Sequence, residues 1–132
     1  KHVNKWKDND EIITTPLTFI STNHSILYEN LTPIFADIDD QLCLDPVDVE
    51  SKITRKTKAI MFVGIGGNIG QYEKIKEICL KHNLKLIFDA AHCAGTKTKR
   101  IKYGSISNEC QVGWDADVSV FWFSSCKKST NS

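Results

Sequence analysis

A carboxylate and a lysine follow two apolar segments of this chain, and their types and positions suit them for chemistry. Asp89 follows segment 85–88, whose last three residues are apolar, and precedes two alanines and His92. Lys127, the first of a lysine pair, comes shortly after a second apolar run, 118–121. Open α/β sheets bind their ligands at the carboxyl ends of their strands. A lysine and a carboxylate at that edge could hold a pyridine cofactor, the lysine as a Schiff base and the carboxylate on the ring nitrogen.

Composition and charge favour one domain and argue against nucleic-acid or membrane binding. The chain has 132 residues, 41% of them hydrophobic, which is enough for one domain with a core. Its 17 basic and 16 acidic residues nearly cancel, so no global field attracts nucleic acid or a membrane. We interpret the basic run Lys97, Lys99, Arg100 and Lys102 as a solvated loop. No apolar run approaches the roughly 20 residues that span a bilayer, and no signal peptide opens the chain.

The cysteines predict a reducing compartment. There are five, at positions 43, 79, 93, 110 and 126, and none forms a CxxC pair. An odd number at irregular spacings is typical of reduced residues rather than of a disulfide framework or a zinc site. We therefore expect a cytoplasmic protein without a metal.

Strand and helix patterns alternate along the chain and predict an α/β fold. Strands are predicted at 11–14, 33–37, 59–63, 84–88 and 118–121, and helices at about 20–30, 46–53 and 71–82. Ser21 or Thr22 is expected to cap the first helix, and Asp45 with Pro46 to start the second. The alternation predicts a mainly parallel sheet with helices on both faces.

A glycine-rich segment, 64–70, offers a different interpretation. It follows a buried strand, precedes a helix and leads to a strand ending in Asp89, as in a dinucleotide-binding unit. The spacing is wrong, however, because the third glycine of GxGxxG should be at Ile69, and Gly70 fits only a looser GxGxxxG. Three alternatives stay open: a nucleotide loop, a turn that leaves the sheet, and a turn that lines the pocket of another ligand.

Several segments, in order, resemble the DegT/DnrJ/StrS family. They are 12–28, 33–39, 53–60 and 88–92, and the resemblance covers roughly 11 to 121. The family comprises pyridoxal-phosphate-dependent aminotransferases that act on nucleotide-linked keto-sugars. The resemblance implies that residues 1–132 are a single incomplete cofactor-binding domain of fold type I, without the small C-terminal domain. It also implies a homodimer and an amino-acid donor, commonly glutamate.

The resemblance assigns roles to four residues. Asp89 matches the acid that pairs with the pyridine nitrogen; otherwise it would cap the next turn. Phe19 matches the aromatic residue against the cofactor ring, with an ordinary core phenylalanine as the alternative. His92 matches a glutamine or histidine beside the cofactor, but it could be structural. Lys127 matches the Schiff-base lysine, with a surface lysine as the alternative.

The tail departs from the family pattern Phe-Ser-Phe-His-x-x-Lys-Asn. Trp122 replaces a small residue whose hydroxyl would bind the cofactor phosphate, and an indole offers no such donor. Ser124 replaces histidine, and Lys128 replaces asparagine. Permitted codons for the tail, read one base later, spell Gly-Phe-His-Pro-Val-Lys-Asn. We therefore hypothesise that the reading frame slips near Phe121.

We expect an incomplete domain of a sugar aminotransferase that is itself inactive. The family places a phosphate-binding helix end ahead of Lys1, and the only methionine is Met61, so the gene is expected to begin earlier. Within the family, the alternative is a dehydratase that uses the same cofactor without a covalent lysine. The presence of Lys127 argues against it. From another class, the alternative is a non-catalytic or Rossmann-like nucleotide-binding domain built on 64–70.

Overall fold

Five short segments pair side by side as a parallel sheet. The computed structural model describes residues 4–102 and 105–121. The strands are β1 Glu11–Thr14, β2 Thr32–Phe35, β3 Thr57–Val63, β4 Lys85–Asp89, β5 Lys97–Lys102, β6 Ser105–Gln111 and β7 Val118–Val120. The helices are α1 Ile20–Tyr28, α2 Pro46–Ser51 and α3 Tyr72–His82. The sheet order is β2-β1-β3-β4-β7, and each described pair in it is parallel. The predicted α/β class is thus confirmed.

The two faces of the sheet pack against different helices. Alternate residues of a strand point to opposite faces. Ile12 and Met61 pack with Ile26 of α1 on one face. On the other face, Ile13 and Phe62 belong to the larger core, which contains residues of α2 and α3. Along the chain, β2 is added to the sheet on one side of β1, whereas β4 is added on the opposite side, next to β3. The direction in which strands are added therefore reverses between β1 and β3. The carboxyl edge near such a switch point is where open sheets bind ligands.

Aromatic rings join α3 to the centre of the sheet. Phe62, Tyr72 and Phe88 are buried, and their ring centroids lie 5.2 to 5.4 Å apart. The Tyr72 hydroxyl donates to Asp115 at 3.0 Å, and the Lys76 ammonium lies 2.6 Å from the same carboxylate. Burial, together with Asp115, raises the pKa of the Tyr72 hydroxyl above its usual range. These contacts fasten the turn between β6 and β7 to α3.

The helix ends show which local sequence signals determine where a helix begins or ends. Asp45 accepts a hydrogen bond from the Val47 N–H at 2.9 Å, and Pro46 is the first residue of α2, as predicted. Asn83 ends α3 in the left-handed conformation, with φ 52°. The predicted cap of α1 is wrong, because the helix begins earlier and Phe19 is its N-cap without a side-chain bond. The Thr22 hydroxyl is instead engaged with Asp89.

The interpretation of the basic run as a loop is also wrong. Lys97–Lys102 forms β5, which pairs antiparallel with β6 outside the main sheet. Strand pairing is made by backbone groups, so a charged segment can form a hairpin without contributing to the core. None of the helices in the described part of the chain is long and apolar enough to cross a membrane.

Candidate functional site

The Asp89 carboxylate lies at the carboxyl end of β4, which is flanked by β3 and β7 in the parallel sheet. It shares a register position with Val63 on one side and Val120 on the other. One carboxylate oxygen accepts from the Ala91 N–H at 3.2 Å, so Asp89 does stabilise the turn that follows it. The other oxygen accepts from the Thr22 hydroxyl at 2.7 Å. The carboxylate is half-buried, and it has unused lone pairs for a further donor.

Two threonines of the α1 region lead to this carboxylate. The Thr18 hydroxyl donates to the Thr22 hydroxyl at 2.9 Å, and Thr22 donates onward to Asp89. Thr22 is buried, with 6% of its surface exposed. Sequence reasoning considered Thr22 only as a helix cap and did not identify Thr18. No helical periodicity identifies Thr18, because it lies ahead of Phe19, the N-cap of α1.

His92 lies on the turn that follows Asp89 and contacts the glycine-rich segment. The Gly66 N–H donates to its Nδ1 at 3.3 Å. A ring nitrogen that accepts a hydrogen bond carries no proton, so in the neutral ring the proton is on Nε2. The His92 side chain is exposed. It can therefore offer an N–H donor to a ligand.

Phe19 precedes α1 at the same edge of the sheet. The Phe19 carbonyl accepts a hydrogen bond from the Thr22 N–H at 3.0 Å. Phe19 therefore lies one helical turn before Thr22, the residue whose hydroxyl donates to Asp89. Phe19 is 76% exposed. The alternative of an ordinary core phenylalanine is therefore wrong. An exposed aromatic ring at this edge is available to pack against a flat ligand.

Three of the four glycine N–H groups in the glycine-rich segment donate to acceptors within the protein. A phosphate loop presents free backbone N–H groups. Here the N–H groups of Gly64, Gly66 and Gly70 donate to the Asp89 carbonyl, to His92 and to the Asn68 side chain. The Asn68 N–H also bonds within the segment. The geometry therefore gives no support to the nucleotide-loop alternative, and the segment instead supports the turn that carries His92.

Glycine is required at position 64 by a close approach. A Cβ atom built there would lie 2.2 Å from the sulfur of Cys93 and 3.2 Å from the ring of Phe88. Burial, then the charge of Asp89, raises the pKa of the Cys93 thiol. Cys93 is buried and bonds to the Gly64 carbonyl at 3.4 Å, so it is a packing residue of the turn rather than an exposed nucleophile.

An open groove lies beside Asp89 on the face of the sheet that carries α1. Its lining residues are Ser21, Thr22, Ser25, Met61, Ile87, Asp89 and Val120.

Within the described residues, no three His, Cys, Asp or Glu side chains come together in a way that could hold a metal ion. Lys127 and the tail residues Trp122, Ser124 and Lys128 lie outside the described residues. Of the four residues to which the resemblance assigns roles, the structure describes Asp89, His92 and Phe19, and these three lie at one edge of the sheet.

Comparison with known proteins gives a consistent set of relatives. The model of the DegT/DnrJ/EryC1/StrS aminotransferase family matches residues 2–131. A Helicobacter pylori UDP-4-amino-4,6-dideoxy-N-acetyl-beta-L-altrosamine transaminase is 34% identical over 93% of this chain and 30% of its own length. The Bacillus subtilis spore coat polysaccharide biosynthesis protein SpsC is 42% identical over 75% of this chain and 26% of its own. The chain therefore spans less than a third of these relatives.

Solved structures agree with the sequence relatives. Helicobacter pylori PseC, an aminotransferase involved in the biosynthesis of pseudoaminic acid, superposes with a TM-score of 0.77 at 33% identity, covering 91% of this chain and 30% of that one. Bacillus subtilis NtdA with bound cofactor PMP has a TM-score of 0.63 at 33% identity, covering 66% of this chain and 20% of that one.

Proposed function

Because this chain belongs to the DegT/DnrJ/EryC1/StrS aminotransferase family, we propose that it is part of the cofactor-binding domain of a sugar aminotransferase. The family uses pyridoxal phosphate, and NtdA carries its amino form. The proposed substrate is a nucleotide-linked keto-sugar used in cell-surface polysaccharide or secondary-metabolite synthesis. The names of relatives support this class, since they include transaminases of UDP- and dTDP-linked sugars.

The observation that carries the proposal is the state of the Asp89 carboxylate. It lies at the carboxyl end of a strand that is paired on both sides, it is held by two donors, and it has room for a third. A protonated pyridine nitrogen is a donor of the right kind. The exposed ring of Phe19 and the Nε2 proton of His92 lie at the same edge. The described residues therefore fit the ring end of the cofactor.

Each residue has a defined task in this proposal. Asp89 would keep the proton on the ring nitrogen by its charge, Phe19 would pack against the cofactor ring, and His92 would donate from Nε2 to the cofactor. Lys127 would hold the cofactor covalently and, once released from it, would act as the base that takes a proton from the substrate and as the acid that returns it. When bound, pyridoxal phosphate withdraws electrons from the carbon that loses its proton.

We also propose an amino donor, an oligomeric state and a cellular location for the same enzyme. We propose glutamate as the amino donor; one relative is named as L-glutamine-dependent, so both should be tested. A homodimer is proposed, with the small C-terminal domain lying beyond residues 1–132. A cytoplasmic location is also proposed, from the odd number and irregular spacing of the five cysteines in the sequence.

The test requires what we call the extended protein. It is this chain with its flanking coding sequence on both sides and the reading frame restored near Phe121. Added pyridoxal phosphate should give an absorbance band in the visible or near ultraviolet, and borohydride should fix the cofactor to Lys127. Lys127→Arg should lose that covalent attachment. Amine transfer to a nucleotide-linked keto-sugar completes the test.

Two results would overturn the proposal. Absence of the band from a folded extended protein would exclude the cofactor. Removal of a hydroxyl from the sugar, without transfer of an amine, would identify a dehydratase. The nucleotide sequence is a separate check, because codons for residues 124–128 that cannot spell His-Pro-Val-Lys-Asn in the shifted frame would eliminate the frameshift.

A further inference from the structure

We propose that Thr22 is a positioning residue whose hydroxyl, supported by Thr18, fixes the orientation of the Asp89 carboxylate toward the cofactor ring nitrogen. This inference rests on the proposed function, and it adds two residues to the site. Neither residue is expected to touch the ring nitrogen. They act through Asp89.

The direction of the hydrogen bonds makes Thr22 a donor to Asp89. A hydroxyl has one proton to donate. The Thr18 proton goes to the Thr22 oxygen at 2.9 Å, and the Thr22 proton goes to the Asp89 carboxylate at 2.7 Å. Thr22 thus receives a bond from one side and gives one to the other. The two residues form a chain that ends on the carboxylate.

The Thr22 hydroxyl makes a tertiary hydrogen bond rather than a local one. Thr22 is in the first turn of α1, where a threonine hydroxyl can also bond to nearby backbone groups. Here it reaches from α1 to β4, across a sequence separation of 67 residues. A β-branched side chain has few rotamers in a helix, and Thr22 is also buried, so its hydroxyl is held in one place. A fixed donor can define the position of its acceptor.

Two donors on different oxygens hold the carboxylate at both ends. The Ala91 N–H holds one oxygen at 3.2 Å and Thr22 holds the other. With only the Ala91 bond, the carboxylate plane could turn about its Cβ–Cγ bond, a torsion that has a broad energy well. A carboxylate accepts about four hydrogen bonds, so both oxygens keep capacity for the ring nitrogen. Thr22 therefore restricts the carboxylate without blocking it.

The experiment compares four variants of the extended protein. Thr22→Val removes the hydroxyl at nearly constant shape, Thr22→Ser keeps it, and Thr18→Val removes its support. Thr14→Val is the matched control, since Thr14 is 0% exposed and its hydroxyl bonds to Asn23 at 3.1 Å rather than to Asp89. Thermal unfolding measures the structural cost of each change.

Two readouts report on the carboxylate itself. Crystal structures of the cofactor-free variants show the orientation of Asp89. Nitrogen NMR of ring-labelled pyridoxal phosphate reports the proton on the ring nitrogen. We expect Thr22→Val to turn the carboxylate, to shift the ring-nitrogen signal and to weaken cofactor binding by about tenfold. Thr22→Ser should restore all three, Thr18→Val should give a smaller change, and Thr14→Val should alter stability only.

The outcomes separate this inference from the proposed function. An unchanged Asp89 orientation in cofactor-free Thr22→Val overturns the positioning role, whether or not the cofactor binds. The same ring-nitrogen signal in Thr22→Val and Thr14→Val overturns it as well. Failure of the unmodified extended protein to bind pyridoxal phosphate overturns the proposed function, and with it the purpose assigned to the Thr18–Thr22 chain.

Discussion

The Gly66 N–H donates to Nδ1 of His92 at 3.3 Å, so the glycine-rich segment after β3 and the turn after β4 support each other. The contact spans 26 residues of sequence at the edge where Asp89 lies. It leaves Nε2 as the donor of the neutral imidazole. The glycine-rich segment thereby affects the candidate site through His92.

Two substitutions of His92 distinguish the roles of its two ring nitrogens, Nδ1 and Nε2. A glutamine amide can take the place of Nε2, whereas the shorter asparagine reaches only to the place of Nδ1. If the distal nitrogen contacts the cofactor, His92→Gln in the extended protein should keep cofactor affinity within about threefold. His92→Asn should lose about tenfold, the equivalent of one hydrogen bond. Fluorescence titration with pyridoxal phosphate measures both. Better binding by the asparagine variant would instead indicate that His92 acts only by supporting Gly66.

Asp89→Asn should nearly abolish amine transfer while leaving the fold intact. Asparagine keeps the shape but loses the charge that stabilises a protonated pyridine, and we expect a cost of several kcal/mol in the transition state. Steady-state rates of the extended protein measure the loss, and circular dichroism checks the fold. Asp40→Asn is the control, because Asp40 is exposed and belongs to the loop between β2 and α2 rather than to β4. Near-normal turnover by Asp89→Asn would contradict the assignment.

The main sheet is predictable because its strands carry a local signal. Residues 59–63 of β3, for example, are a continuous apolar run, and β3 is almost fully buried. Apolar content determines which runs can occupy the centre of a parallel sheet. The hairpin of Lys97–Lys102 and Ser105–Gln111 has no such signal. Backbone pairing forms it, and backbone groups are the same in every sequence.

The candidate site is predictable only where chemistry coincides with a strand end. Asp89 stands out because a carboxylate follows an apolar strand. The contribution of Thr22 depends on α1 packing beside β4, and no periodicity within a single segment specifies that arrangement. A hydroxyl residue near a helix start has two possible roles, local capping and tertiary bonding. Only the packed structure distinguishes them.

Phe19→Ala should lower cofactor affinity with little effect on stability. The removal of a core phenylalanine costs about 3 to 5 kcal/mol, but an exposed side chain contributes within about 0.5 kcal/mol. Phe19 is 76% exposed, so its ring is available to a ligand. Tyr28→Ala is the matched control, since Tyr28 is 83% exposed and ends the same helix. Thermal unfolding and cofactor titration should be measured for both. Equal cofactor affinity in the two variants would argue against contact between Phe19 and the ring.

Asp115 should make the stability of the extended protein depend on acid pH. Burial opposes its ionisation, but hydrogen bonds from Lys76 and Tyr72 outweigh burial and lower the pKa of Asp115 below its usual value. A carboxyl with a depressed pKa stabilises the folded state above its unfolded pKa of about 3.9, and this contribution is lost as the pH falls through the folded pKa.

Asp115→Asn tests this dependence. The substitution should cost about 1 to 2 kcal/mol at neutral pH, because it removes the charge that Lys76 contacts at 2.6 Å. The difference from the unmodified protein should shrink below about pH 4. Thermal unfolding at pH 7, about pH 4 and lower measures it, with Asp40→Asn as the control. A difference that stays constant over the whole range would contradict the role of the charge.

Residues 1–132 expressed alone should neither transfer amines nor bind pyridoxal phosphate tightly, and they should associate. Val118 and Val120 are about half exposed, and they lie on the strand that ends the described order of the sheet. Unpaired strand edges and exposed apolar side chains promote association. Trp122 also stands where the resemblance expects a hydroxyl residue for the cofactor phosphate. Gel filtration and absorbance after addition of pyridoxal phosphate, beside the extended protein, measure both properties. A stoichiometric cofactor band from the short chain would show that Lys127 works in its present surroundings, and the frameshift account of its function would then be wrong.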